Sequence, residues 1–333
     1  MINRFLIIFL ALMVASCGGE GESIDTTHRD LDSSASQTST LRGDHVDTYF
    51  GVEVADPYRW LEDDLSSDTA DWIVEQNTST RSYIDAISLR DDVKNTVARL
   101  LNFERETAPF IEGGKRYFYR NSGLQNQRVL YRIEDDGSET VFLDPNTFSE
   151  DGTVSMSGVS FSKDGSLVAY QLSEGGSDWR SIVVREVATG DVLESPLVDV
   201  KFSGINWLGN DGFFYSSYDK PDGSELSAKT DQHKLYFHAL GTPQSSDAVI
   251  FGSTAEQKHR YVGASVGGDD RYLVISAANS TSGNKLFIKD LQSESDDLIV
   301  VFADESADGS LLESDDAYLL IETNRDAPKG RVI

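Results

Sequence analysis

One pattern governs what this chain can fold into: a turn followed at once by an aromatic-rich, strand-forming run, met five times. It reads GGKRYFY at 113–119, KDGSLVAY at 163–170, NDGFFY at 210–215, DDRYLVI at 269–275 and SDDAYLLI at 314–321, so successive starts lie 50, 47, 59 and 45 residues apart. That spacing suits a four-stranded blade, and short strands broken by Gly, Asp and Ser turns argue for an all-β chain. Other strand-like runs fill the intervals: VLYRIE at 129–134, SIVVREV at 181–187, KLYFHAL at 234–240 and KLFIKDL at 285–291. The fold expected is mainly β, an incomplete β-propeller in which the fifth blade has barely begun near Ile333. An ordinary β-sandwich is the alternative. Propellers close by joining the last blade to the first, which leaves no sheet edge bare. No closure is visible here, so the chain reads as truncated.

The residues before the first repeat have another texture. Ser66 and Ser67 are plausible caps for a helix running to about Ile87, on which Trp72, Ile73, Gln76, Tyr83, Ile84 and Ile87 fall at three- and four-residue intervals. A second helix is expected from about Asp91 to Leu101, with Val93, Val97, Leu100 and Leu101 on one side, and Asp44 to Tyr49 reads as extended. Ahead of the helices stands DPYRWLEDD at 56–64, large rings set among acidic residues. Two helices and a strand cannot shield that much apolar surface, so the segment needs a partner.

The N-terminus carries an address. Arg4 precedes the apolar run FLIIFLALMV at 5–14, too short for a permanent membrane span, and Val14-Ala15-Ser16-Cys17 follows. Small residues before a cysteine at the end of such a run resemble the bacterial lipobox. That resemblance implies a signal peptide at 1–16, cleavage before Cys17, and a diacylglycerol on its thiol as the lipidation site. The alternative is a plain secretory signal. Acyl chains would make the membrane a partner and place the protein in the periplasm or cell envelope. Residues 17–42 read as a disordered tether, 43–105 as the helical segment and 106–333 as the propeller. Cys17 is the only cysteine, so no disulfide can form within the chain.

Chemical equipment is scarce. Against 29 basic side chains stand 56 acidic ones, a formal charge of −27, which excludes nucleic acid as a partner because phosphate binding needs clustered Lys and Arg. Gly263-Ala264-Ser265-Val266-Gly267 fits the G-x-S-x-G pattern, but that elbow needs a helix after the serine and a later histidine. A strand follows instead, and no histidine lies beyond His259, so Ser265 reads as a blade residue near a turn. His28, His45, His233, His238 and His259 show no metal-ligand spacing, and alternation puts His233 and His238 on opposite faces of one strand. Asp-Gly at 136–137 and 164–165 reads as hairpin turns rather than calcium loops, and no phosphate-binding loop occurs. No catalytic, cofactor-binding or metal-binding residue is assigned, and no cofactor is expected.

Several stretches, in order, resemble the prolyl oligopeptidase family: DPYRWLEDD, RNSGLQNQRVLY (120–131), FLDPNTFSEDGTV (142–154), LSEGGSDW (172–179), VKFSGINW (200–207), LGTPQS (240–245) and TNRDAPKGR (323–331). The resemblance implies a seven-bladed propeller over an α/β-hydrolase domain whose Ser, Asp and His cleave short proline-containing peptides after proline. It also implies that Tyr58, Trp60 and Leu61 dock on that hydrolase domain, which lies outside these residues together with all three catalytic groups. Trp179 reads as a blade-packing aromatic. The reading is therefore an N-terminal fragment, inactive alone, of a lid-bearing serine endopeptidase. The alternatives are a non-catalytic peptide-binding lipoprotein and the lid subunit of a split peptidase.

Overall fold

The computed structural model describes residues 39–220, 230–268, 270–295, 297–315 and 318–333. Cys17, His28 and the expected signal peptide at 1–16 lie outside the described residues. The N-terminal segment holds a hairpin, β1 (Val46–Tyr49) and β2 (Val52–Ala55), then α1 (Ser67–Asp85) and α2 (Arg90–Leu101). The hairpin was read only as one extended stretch. Its turn is Phe50-Gly51, both with positive φ (52° and 84°), the tight reversal whose twist matches paired strands. Helix α1 starts where the sequence sets its cap: the Ser66 hydroxyl accepts the Asp68 N–H at 3.2 Å. Neither helix finds a core. Across both, only Thr69 is buried, while Ile73, Val74, Tyr83, Val93, Val97, Leu100 and Leu101 face outward. Among the described residues no helix is long and apolar enough to cross a membrane.

From Arg105 onward the chain forms five antiparallel sheets in succession. Blade 1 pairs a first strand in two pieces, β3 (Arg105–Glu106) and β4 (Phe110–Glu112), with β5 (Lys115–Asn121), then β6 (Val129–Ile133) and β7 (Glu139–Leu143). The break at 107–109 contains Pro109, which has no N–H for a ladder. Blade 2 is β8 (Val154–Phe161), β9 (Leu167–Glu174), β10 (Trp179–Glu186) and β11 (Leu197–Lys201). Blade 3 is β12 (Asn206–Leu208), β13 (Gly212–Ser217), β14 (Lys234–Ala239) and β15 (Ala248–Phe251). Blade 4 is β16 (Tyr261–Val266), β17 (Tyr272–Ala278), β18 (Lys285–Asp290) and β19 (Ile299–Phe302). Blade 5 contributes β20 (Gly309–Ser314), β21 (Leu319–Thr323) and β22 (Arg331–Val332).

Strand alternation explains why the sheets stack face to face. On β9 Ala169 packs towards blade 3 and Tyr170 towards blade 1; on β10 Ile182 and Val184 point to blade 3 and Val183 to blade 1. On β13 Phe213 and Tyr215 enter the seam with blade 2, and Phe214 the seam with blade 4. On β17 Leu273 and Ile275 face blade 3, and Val274 faces blade 5. Each middle strand is thus apolar on both faces, and burying such a side chain contributes about 1.5–3 kcal/mol. The turn–aromatic motif marks the first hairpin of each blade, so every blade begins one strand earlier than the motif. Blade 5 accordingly has three strands rather than a bare start.

Candidate functional site

The first hairpins gather at one end of the stacked blades and hold each other. Lys163 in blade 2 pairs with Asp270 in blade 4, with Nζ 3.1 Å from Oδ2. Asn210 of blade 3 donates to Asp164 at 2.6 Å, and the Gly268 N–H of blade 4 donates to Ser314 Oγ of blade 5 at 3.1 Å. Gly165 abuts Gly113 of blade 1 so closely that a β-carbon on Gly165 would stand 2.2 Å from the Gly113 Cα. The Ser166 backbone N–H, its hydroxyl and the Asn210 amide hold the Asp164 carboxyl well below the usual carboxylate range. This end is a mesh of turns.

The opposite end is where candidate chemistry collects. There β11 bulges, its register with β10 shifting between Arg180 and Ile182, and two non-glycine residues adopt the left-handed region: Asp199 (φ 55°) and Phe202 (φ 53°). Such conformations cost about 1–3 kcal/mol each and persist only where the surroundings over-determine them. Here they do. Ser217 Oγ donates to the Asp199 carbonyl at 2.5 Å, Lys220 pairs with the Asp199 carboxylate at 3.0 Å, and Ser203 is held between Gln171 and the Ser216 N–H at 2.7 Å each. The result presents Phe202 to solvent, 47% exposed, beside Tyr218 (6.3 Å, edge-on) and Tyr261 (6.1 Å). Lys201 Nζ lies 4.9 Å from the buried Trp179 ring and 5.4 Å from the Phe202 ring.

Beneath this patch lies a buried histidine. His233 Nε2 donates to the Lys201 carbonyl at 2.9 Å, its Nδ1 accepts the Val262 N–H at 2.8 Å, and Tyr218 stacks on it at 4.4 Å. One ring nitrogen must donate and the other accept, so the neutral Nε2–H form is the one that fits. Burial lowers its pKa from 6.5 to about 4 and pushes the Tyr218 phenol up to about 12. The knot ties blades 2, 3 and 4 together under Phe202.

The residues weighed from sequence are scattered. Ser265 lies within β16, exposed, in register with Val274 and followed by a hairpin rather than a helix. His238 is buried between Asp247 (2.8 Å) and Glu194 (3.1 Å), and Tyr215 donates to the same Asp247 at 2.8 Å. Burial raises the Tyr215 phenol above its usual value, so this net pins the seam of blades 2 and 3 rather than activating a nucleophile. Among the described residues no cluster of His, Cys, Asp and Glu could hold a metal. Trp179 is 7% exposed at the start of β10. Sequence reasoning assigned no role to Lys201, Phe202, Tyr218 and Tyr261; the signal was an aromatic inside the polar string K-F-S-G, where alternation has stopped.

The N-terminal segment forms a second exposed apolar surface. Trp60 stands edge-on to Trp72 at 6.4 Å and donates its N–H to the Leu41 carbonyl at 2.9 Å, while Tyr58 stays 39% exposed beneath Arg42. Its tryptophans are thus stapled to one another.

Residues 39–333 match the family model described as prolyl oligopeptidase, N-terminal β-propeller domain. The prolyl endopeptidase of Elizabethkingia meningoseptica is 50% identical over 295 residues, spanning 88% of this chain and 42% of the relative. Prolyl oligopeptidase A of Amanita bisporigera is 34% identical, over 89% of this chain and 44% of the relative. Among solved structures, prolyl oligopeptidase B of Galerina marginata bound to a 25mer macrocyclization substrate superposes with a TM-score of 0.75 at 28% identity, covering 90% of this chain and 46% of that one. A solved prolyl endopeptidase gives 0.77 at 25% identity, covering 89% and 44%. The chain spans less than half the length of these relatives.

Proposed function

This chain belongs to the prolyl oligopeptidase family, as its N-terminal β-propeller part, and from that membership we propose that it forms the substrate-facing lid of a serine endopeptidase cleaving short peptides after proline. One observation carries the reading: the apolar face of α1 and α2, with the β1–β2 hairpin, is left open by the blades, and so much exposed apolar surface marks an interaction site. The relatives are more than twice as long as the matched region, and their remaining portion is the surface this face would meet. Nucleophile, base and orienting acid would come from that portion. The blades would supply the Phe202 patch as a floor for the peptide and keep bulk water from the reacting carbonyl. On its own the chain is expected to leave a chromogenic prolyl peptide intact. Joined to the part of the Elizabethkingia meningoseptica relative that follows its matched region, it is expected to cleave after proline. A folded fusion without that cleavage would sink the reading.

We also propose export, with residues 1–16 removed and Cys17 carrying a lipid anchor to the membrane of the cell envelope. Labelled fatty acid should enter the wild-type protein, and Cys17→Ser should abolish labelling and release the protein from membranes. Labelling that persists in the serine variant would refute the anchor.

A further inference from the structure

At the same end of the blades as Phe202, the seam between blades 1 and 2 opens into a cavity of about 350 Å³. Tyr119, Pro145, Met156 and Val159 form its apolar wall, and Arg128 stands at its lip. That volume lies within the range of small-ligand sites, and the mix of apolar wall with one charged group is what such sites use to orient a ligand. The guanidinium of Arg128 has no carboxylate partner among the described residues, although the chain carries 56 acidic side chains. The residue before it is fixed. The preceding Gln127 receives from Asn146 Nδ2 at 3.1 Å and donates its own N–H to Asn146 Oδ1 at 3.0 Å. Its side chain crosses the seam, donating to the Val154 carbonyl at 2.8 Å and accepting the Met156 N–H at 2.8 Å. On the far wall a bulge takes Gly158 and Val159 out of register with β9, and Gly158 sits at φ 57°. An arginine that follows a residue bonded across the seam, beside an apolar hollow and without a carboxylate partner, suits an anion attached to an apolar group.

We propose that this cavity grips the C-terminal end of a short peptide, with Arg128 taking the terminal carboxylate and the last apolar side chain resting between Met156 and Tyr119. The proposal deepens the peptidase reading by naming the end of the substrate that the lid holds, and it rests on that reading for the peptide nature of the ligand. A terminal carboxylate must then lie within reach of the blades, which ties the preference for short chains to a binding contact as well as to the size of the opening.

The test is titration calorimetry of the whole chain with N-acetylated Ala-Pro-Leu as free acid and as C-terminal amide, at low and moderate salt. The free acid should bind about tenfold tighter or more, the worth of a charge-assisted hydrogen bond, and the difference should shrink as salt rises. Arg128→Gln should erase the preference, and Arg128→Lys should keep part of it. Arg128 is exposed, so neither substitution should move the unfolding midpoint. Equal affinity for acid and amide, no binding of either, or a preference surviving in Arg128→Gln would each overturn the proposal. None of these results depends on hydrolysis, so a failure here is distinct from a failure of the fusion to cleave.

Discussion

Acidification should loosen blades 2, 3 and 4 through one residue. His233 is fully buried, and its neutral ring is fixed as donor to the Lys201 carbonyl and acceptor from the Val262 N–H. Protonation would place a second N–H against Val262, two donors facing each other in a fully buried seam. Burial is the main cause of the fall in pKa from 6.5 to about 4, and the bond to the Lys201 carbonyl offsets only part of it. For a base whose folded pKa is depressed, the unfolded chain binds the proton first. The stabilisation is therefore complete above about pH 6.5 and is lost as pH falls towards 4, amounting to about 3 kcal/mol across that window. Carboxyls such as Asp164 and Asp304, held below their usual range, contribute stability that disappears only below about pH 4, so the two effects separate on the pH axis. The assay is denaturant unfolding of the wild type and His233→Gln at half-unit intervals from pH 7.5 to 4.5. The wild type should lose about 2.5 kcal/mol more than the variant over this range. Should the variant fold too poorly, the His233 ring resonance followed by NMR gives the same answer, with a midpoint near 4. Parallel stability curves, or a ring titrating near 6.5, would refute the reasoning.

Other consequences are more local. Gly165→Ala should cost on the order of 2–3 kcal/mol, because φ 72° and the Gly113 backbone both exclude a β-carbon; an unchanged midpoint in thermal unfolding would count against the turn mesh. Leu286→Ala, at the fully buried centre of the blade 4–blade 5 seam, should cost about 2–5 kcal/mol by denaturant unfolding. Phe202→Ala should leave stability within about 0.5 kcal/mol of wild type yet lower prolyl-peptide turnover in the fusion; a large loss of stability with unchanged turnover would make Phe202 a packing residue instead.

The blades were legible because their strands carry their information in order along the chain. NDGFFY holds a turn and three consecutive apolar residues, and such a run can be buried only between two neighbours, which is what Phe213, Phe214 and Tyr215 do. The N-cap of α1 was legible for a similar reason, since Ser66 and Asp68 are two residues apart in sequence. The site was not. Phe202 is brought out by a backbone excursion at Asp199 that depends on Ser217 and Lys220, residues close to it only after blades 2 and 3 have stacked. His233 likewise reads as a lone imidazole until Lys201 and Val262, 32 and 29 residues away, close on its two nitrogens. The β1–β2 turn was missed through composition, because Phe is a costly occupant of a left-handed turn position and Gly51 alone had to announce it.

The division between seams and ends explains how rigid blades can carry irregular loops. Every middle strand is apolar on both faces, so a one-residue slip in any blade would exchange two buried sets simultaneously, and the register is fixed from both sides. That leaves the seams little freedom to change. The loops at the Phe202 end bear no such constraint: they meet polar groups, bulges and left-handed residues whose cost of about 1–3 kcal/mol each is small beside the burial in four seams. Phe202 therefore sits on a backbone made stiff by its neighbours while its ring stays half exposed, and Arg128 stays exposed beside the cavity of blades 1 and 2. The N-terminal helices present the opposite case, apolar on a face that no seam of their own covers, and exposed apolar surface of that extent is the mark of an interaction site.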